Sequence, residues 1–138
     1  MPGARMLMER DLVGAWRLVS HCYLNEDGST DEGPLGAGAD GLLIYHPSGF
    51  MAASLMRTDS WSGDAPAPYL GSVESYLGYS GRWRVEKDAV VHQVVIGSHR
   101  RVVNTEQVRG ARLTNGLLTL RNRLPDSTRH VVMDWRRA

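Results

Sequence analysis

Cysteine is almost absent: Cys22 stands alone in 138 residues, so no internal disulfide can form and the fold must rest on its hydrophobic core. A chain of this length suffices for one such core in one domain, residues 1–138, with 1–10 as a flexible lead. An excess of charge of one sign is missing too. Sixteen Lys and Arg face fifteen Asp and Glu, which leaves no electrostatic footprint for nucleic acid or an anionic membrane. The opening stretch "MPGARMLMERDLVG" has no long apolar run and no small-residue cleavage site, so a cytoplasmic protein without a membrane partner is expected. The five histidines, at 21, 46, 92, 99 and 130, show neither H-x-H nor H-x-x-x-H spacing and have no cysteine partner, so no metal is called for. No other cofactor is expected either. "GAGADG" (36–41) fits G-x-G-x-x-G, yet it follows a polar loop and leads into a strand, where a dinucleotide site needs strand before and helix after. "GYSGR" lacks the last glycine of a nucleophile elbow and precedes a strand, which argues against a hydrolase.

What the sequence does have is period-two alternation punctuated by glycine and proline, the mark of an all-β domain. "LVGAWRLVSHCYL" reads as a first strand with Trp16, Leu18, Ser20 and Cys22 on one face. "GLLIYHPSGFMAASLM" reads as a hairpin turning at His46-Pro47-Ser48-Gly49. After an irregular loop over 57–71, "SVESYLGY" (72–79) can form about two helical turns behind an N-cap at Ser72. "GRWRVEK" and "AVVHQVVIG" form a second hairpin around Asp88. "TEQVRGARL" and "LLTLRNRL" form a third, with Asn115-Gly116 at its turn. "RHVVMDWRRA" is the last strand. The pairs Arg100-Arg101 and Arg136-Arg137 read as solvated charges.

Eight consecutive antiparallel strands leave two bare edges unless the sheet closes, so the expected fold is an eight-stranded up-and-down β-barrel with one short helix and an internal cavity. Strand parity then selects the inward faces. Val90, His92, Val94 and Ile96 point into the barrel, joined by Gln107 and Arg109 from the next strand. Met51, Ala53, Leu55, Trp83, Val85, Leu118, Leu120, Met133 and Trp135 supply apolar wall. Trp16 plugs one end, while Trp61, Tyr76 and Tyr79 belong to a lid or mouth. A buried guanidinium needs a partner, and no inward position is acidic; water or a ligand oxygen then serves. A bulge near Gly110 would instead turn Arg109 outward. His92 is equally readable as a ligand contact or as a core histidine bonded to a neighbouring strand.

The stretches "LVGAWRLVS", "GLLIYHPSGFMAASLMR", "YLGYSGRWRVEKDAVVHQVVIGS", "TEQVRGARLTNGLLTL" and "VVMDWRR", in that order over nearly the whole chain, resemble the bacterial lipocalin-like domain family. That resemblance implies a small barrel with a cavity for hydrophobic molecules, and places His92, Gln107 and Arg109 at the family's recurring polar positions. "IGSHRRVVN" departs from the pattern by being more basic and less aromatic. Some similar barrels are cyclases of bacterial natural-product pathways. The expected function is therefore a cofactor-free cyclase or isomerase, of cycloaddition type, acting on a polyketide-like intermediate. His92, Gln107 and Arg109 would donate hydrogen bonds to a carbonyl, and Met51, Ala53, Leu55, Trp61, Tyr76, Tyr79, Trp83, Val94, Leu120, Met133 and Trp135 would shape the substrate. The alternative is a carrier or sensor in which Arg109 pairs with a ligand carboxylate. The sequence leaves the oligomeric state open, a homodimer included.

Overall fold

The computed structural model describes residues 6–58, 76–125 and 127–138. It is a closed antiparallel barrel of eight long strands: β1 (Gly14–Leu24), β3 (Ala39–Tyr45), β4 (Phe50–Arg57), β5 (Tyr76–Glu86), β6 (Ala89–Gly97), β7 (Glu106–Thr114), β8 (Leu117–Arg123) and β9 (His130–Arg137). Each strand pairs with the next in this series, and β9 returns to β1 to close the ring. A three-residue strand, β2 (Thr30–Glu32), adds to the second half of β1 within the polar connection. Closure removes both sheet edges, which is the reason the alternating pattern can sustain a barrel of this size. The expected hairpins are present. Asn115 (φ 52°) and Gly116 (φ 80°) both sit in the left-handed region that a two-residue hairpin turn demands.

Alternation puts the apolar side of each strand inside. Leu43 and Tyr45 from β3, Leu77 and Tyr79 from β5, Val90 and Val94 from β6, Leu118 from β8 and Val131 from β9 form one contiguous core. The helix, α1 (Glu9–Leu12), stands just before β1 and closes the barrel end where the tight turns lie. Buried Leu12 anchors it, and its Leu12 carbonyl accepts the indole N–H of fully buried Trp16 at 2.8 Å. Glu9 and Arg10 of the lead lie in this helix, while residues 1–5 lie outside the described ones. Arg137 is exposed, as expected of a terminal charge, and it also donates to the Val13 and Asp11 carbonyls at 2.8 and 2.9 Å and covers the Trp16 ring at 4.4 Å, tying the end of β9 to the helix. Among the described residues no helix is long and apolar enough to cross a membrane.

Three expectations are corrected. The helix over 72–79 is not formed at Tyr76–Tyr79, which begin β5; residues 72–75 lie outside the described ones. Buried Leu77, Tyr79, Gly81 and Trp83 are one period-two series, and the glycine in it hides the pattern from a reading by hydrophobicity. In β1 the register slips between Leu18 and Ser20, so exposed Val19 is an extra residue and Ser20 and Cys22 leave the face of Trp16 and Leu18. In β6 the partner of Gly81 is Val94 and that of Ser80 is Ile96, which leaves Val95 unpaired and turns Ile96 outward at 67% exposure.

Gly81 makes this second bulge sterically possible. A Cβ there would stand 1.9 Å from the Gln93 carbonyl oxygen and 2.9 Å from the Val95 nitrogen, both backbone atoms that cannot swing aside. Gly81→Ala is therefore expected to cost more than about 2 kcal/mol in chemical denaturation, against about 1 kcal/mol for Gly116→Ala, which meets only an unfavourable φ in open space. Equal costs for the two would mean that the close approach at Gly81 is absent.

Candidate functional site

Inside the barrel the apolar lining is interrupted by a set of polar groups. His92, from β6, is 2% exposed, and both its ring nitrogens are engaged: Nε2 lies 2.6 Å from the Tyr45 hydroxyl and Nδ1 lies 2.7 Å from the Tyr79 hydroxyl. Both tyrosines are themselves buried, and Tyr45 packs on Trp83 with ring centroids 4.5 Å apart. The Trp83 indole in turn donates to the His46 carbonyl at 2.9 Å.

Burial, with the positive charge of Arg109 adding to it, lowers the pKa of His92 to about 3, so the imidazole is neutral at ordinary pH. A neutral ring has one N–H and one lone pair, so one tyrosine donates to it and the other accepts from it. The Tyr45 hydroxyl has His92 as its hydrogen-bond partner among the described residues, and it is wholly buried. Its proton is satisfied only if it points at Nε2. The remaining ring proton then sits on Nδ1 and is donated to Tyr79, whose own hydroxyl proton is passed onward. Burial and the neighbouring Tyr79 push the Tyr45 hydroxyl well above its usual pKa, so it stays a donor.

Arg109 and Gln107 come from β7. Arg109 is 7% exposed; its guanidinium donates to Gln107 Oε1 at 3.2 Å and to the Val108 carbonyl at 3.5 Å. Gln107 passes the chain on, donating to Thr105 Oγ1 at 2.7 Å, which donates to the Val102 carbonyl at 2.6 Å. The bulge at Gly110 that would have turned Arg109 outward is absent, since β6–β7 and β7–β8 pairing both run through in register.

Arg109, His92 and Tyr79 line a cavity of about 20 Å³, room for about one water, whose other walls are Leu43, Ala53, Leu55, Leu120, Asn122, Met133 and Trp135. Trp135 carries the one anomaly: its Nε1–H is buried and finds no acceptor among the described residues. Ala53, Leu55, Leu120, Met133 and Trp135 were thus correctly placed on the inner wall by parity. Met51, Trp83 and Val94 are core residues that do not border this space, and Gln107 reaches it only through Arg109. Tyr76 stands apart. It is 46% exposed on the outer face, bonded to Ser54 Oγ at 3.3 Å, and takes no part in the interior. Trp61 and most of the loop over 57–71 lie outside the described residues. Among the described residues no three His, Cys, Asp or Glu side chains come together as a metal site would require.

The sequence model of the lipocalin-like domain family matches residues 13–138. The chain belongs to the lipocalin-like domain family. Crystal structures of the fluorescent protein UnaG, wild type and a point mutant, are similar in fold at 11% identity, with TM-scores of 0.46 and 0.47. The match covers 95% of this chain and 100% and 99% of theirs. No curated protein matches. In this lipocalin-like barrel, two interior groups escape a reading of the sequence. Tyr45 belongs to the same inward series as Gly41 and Leu43, and the signal for it was present: one tyrosine on an otherwise apolar strand face. Asn122 lies in "LRNRL", where flanking arginines suggest a fully solvated stretch.

His92 ties stability to pH. Its folded pKa lies below the unfolded value of 6.5, so its contribution is complete above pH 6.5 and is lost as pH falls from there toward 3, while the unfolded chain takes up the proton first. His21, lowered by burial, and His130, lowered by slight burial and by Arg121 and Arg123, act in the same direction. The slope from His92 alone is about 1.4 kcal/mol per pH unit. Denaturant titrations at pH 6.5 and 4.5 should therefore show a smaller pH loss in His92→Gln than in the wild type, whatever the variant's stability at neutral pH. Equal losses would show that His92 is not held neutral.

Proposed function

We propose that the barrel binds a small hydrophobic molecule in its interior, with an oxygen of that molecule at the end of the cavity marked by His92, Tyr79 and Arg109. The observation that supports this is the placement of a permanent cation and a neutral, hydrogen-bonded imidazole on the wall of an otherwise apolar space, at a cost in desolvation that a filled core would avoid. At about 20 Å³ the cavity admits little more than one oxygen. A larger ligand requires its walls to yield, and the unbranched, rotatable Met133 beside Leu55 is the side chain suited to do so.

The finer reading is catalytic: a cofactor-free cyclase or isomerase for a polyketide-like intermediate. His92 at a pKa of about 3 is too weak a base to take a proton at neutral pH, so acid–base catalysis by it is excluded from this scheme. What the site offers instead is confinement of a flexible chain, which supplies roughly 7 to 11 kcal/mol at best, and donors directed at a carbonyl whose negative charge grows in the transition state. Arg109 and the Tyr79 hydroxyl supply those donors, with Gln107 holding Arg109 in place.

The test is incubation of the purified protein with a linear polyene that carries a carbonyl-activated double bond, following binding by tryptophan fluorescence and ring formation by chromatography. The cyclase reading expects accelerated ring closure with a rate flat between pH 5 and 9, and a loss of about tenfold or more in Arg109→Met. Saturable binding of a substrate that is recovered unchanged would overturn the catalytic part and leave a carrier. No binding of any apolar compound would overturn both.

A further inference from the structure

The barrel end opposite α1 is stoppered by a short turn over 33–36, which follows β2. All four of its residues are buried, and Leu35, at 0% exposure, belongs to the same core cluster as Leu43 and Met133. The Gly36 N–H closes the turn on the Gly33 carbonyl at 3.0 Å. A side chain of β1 ties it to the wall: the Leu35 N–H donates to His21 Nε2 at 3.1 Å. Beyond the slip in β1, His21 lies opposite Met133 of β9, so its ring stands on the inner face beside a residue that lines the cavity. The ring also lies flush against Gly33, where a Cβ would meet Cδ2 at 2.3 Å and Nε2 at 2.5 Å.

A ring nitrogen that accepts an N–H must carry its lone pair, so this contact exists only in a neutral His21 with its proton on Nδ1. Burial lowers the pKa of His21, and the Glu32 carboxylate, which acts the other way, does not make up for it; the ring is neutral at pH 7 and takes its proton below pH 6.5. The other charged groups of this end are engaged with different partners. Arg129 stacks on Tyr23 at 4.0 Å and donates to Asn25 and Asp31, Asp134 of β9 accepts from Ser20 and Thr119 on the outer face, and His130 lies opposite Leu24. The turn itself, Gly-Pro-Leu-Gly, holds no ionisable side chain. We propose that His21 is an acid-released latch: neutral, it holds the 33–36 turn and Leu35 in the barrel end, and protonated, it frees the turn and opens the interior beside Met133. A proton on Nε2 sets donor against donor at Leu35, and the charged ring, which the flush contact with Gly33 shields from water, turns toward Glu32 and solvent. The inference rests on the reading of the interior as a ligand site and adds how that site is emptied.

Amide hydrogen exchange of the full chain, with no ligand added, reads the latch directly. From pH 7.5 to 5.0 the protection factor of Leu35 should fall about tenfold or more beyond any fall at Val94, whose N–H donates to the Thr105 carbonyl and reports opening of the whole barrel. His21→Gln removes the titrating group, and Gly33→Ala drives the ring from its place while leaving it titratable; both should lose the extra fall, with Leu35 poorly protected at either pH in Gly33→Ala. The neutral dye N-phenyl-1-naphthylamine then follows access to the interior: its dissociation from the wild type should quicken about tenfold over the same interval, and not from His21→Gln. A fall at Leu35 no larger than at Val94, or an extra fall that persists in both variants, would overturn the latch. An opening at Leu35 that leaves the dye's rates fixed would overturn its link to the interior. Failure of the dye to bind at either pH would overturn the reading of the interior as a ligand site, while the exchange result still decides the latch.

Discussion

The interior of this barrel is organised around one buried imidazole held between two phenols. Tyr45 and His92 belong to β3 and β6, which are not neighbours in the sheet, so their hydrogen bond crosses the lumen instead of following the ladder. Tyr79 reaches the same ring from β5. Three strands are thereby fixed relative to one another by buried groups, and leaving any one of them unpartnered would cost about 1–3 kcal/mol. The arrangement also fixes protonation. His92 must be neutral, and the proton order runs from Tyr45 to Nε2 and from Nδ1 to Tyr79.

The rest of the polar set is built outward from that ring. Arg109 contributes to lowering the His92 pKa, and Gln107, Thr105 and the Val102 carbonyl hold the guanidinium from behind. The result is an apolar wall interrupted by Arg109, His92 and Tyr79 around a small cavity. A barrel of eight strands has an interior that side chains nearly fill, and here they leave room for about one water.

Much of this was legible in the sequence. The eight strands and the three hairpin turns follow from alternation and from residues such as Asn115 and Gly116 that only a few turn geometries accommodate. The inward direction of His92, Gln107 and Arg109 followed from parity, because β7 runs without interruption. Parity failed wherever a bulge adds a residue: Ser20, Cys22 and Ile96 all lie beyond such a point, and a slip of one residue leaves no trace in composition. The helix expected at 72–79 failed at Tyr76–Tyr79 because Gly81 interrupts the apolar series that continues β5. Tyr45 was passed over because a partner three strands along the chain cannot be inferred from local spacing, and Tyr76 was expected at a substrate-shaping mouth because alternation within β5 was not recognised.

The central claim is the protonation state of His92, and long-range nitrogen–proton NMR of uniformly labelled protein reads it directly. The account predicts one fixed neutral tautomer for His92, with its proton on Nδ1, unchanged from pH 8 down to the onset of acid unfolding. An imidazole that instead titrates near its ordinary value of 6.5, or that carries its proton on Nε2, would contradict it.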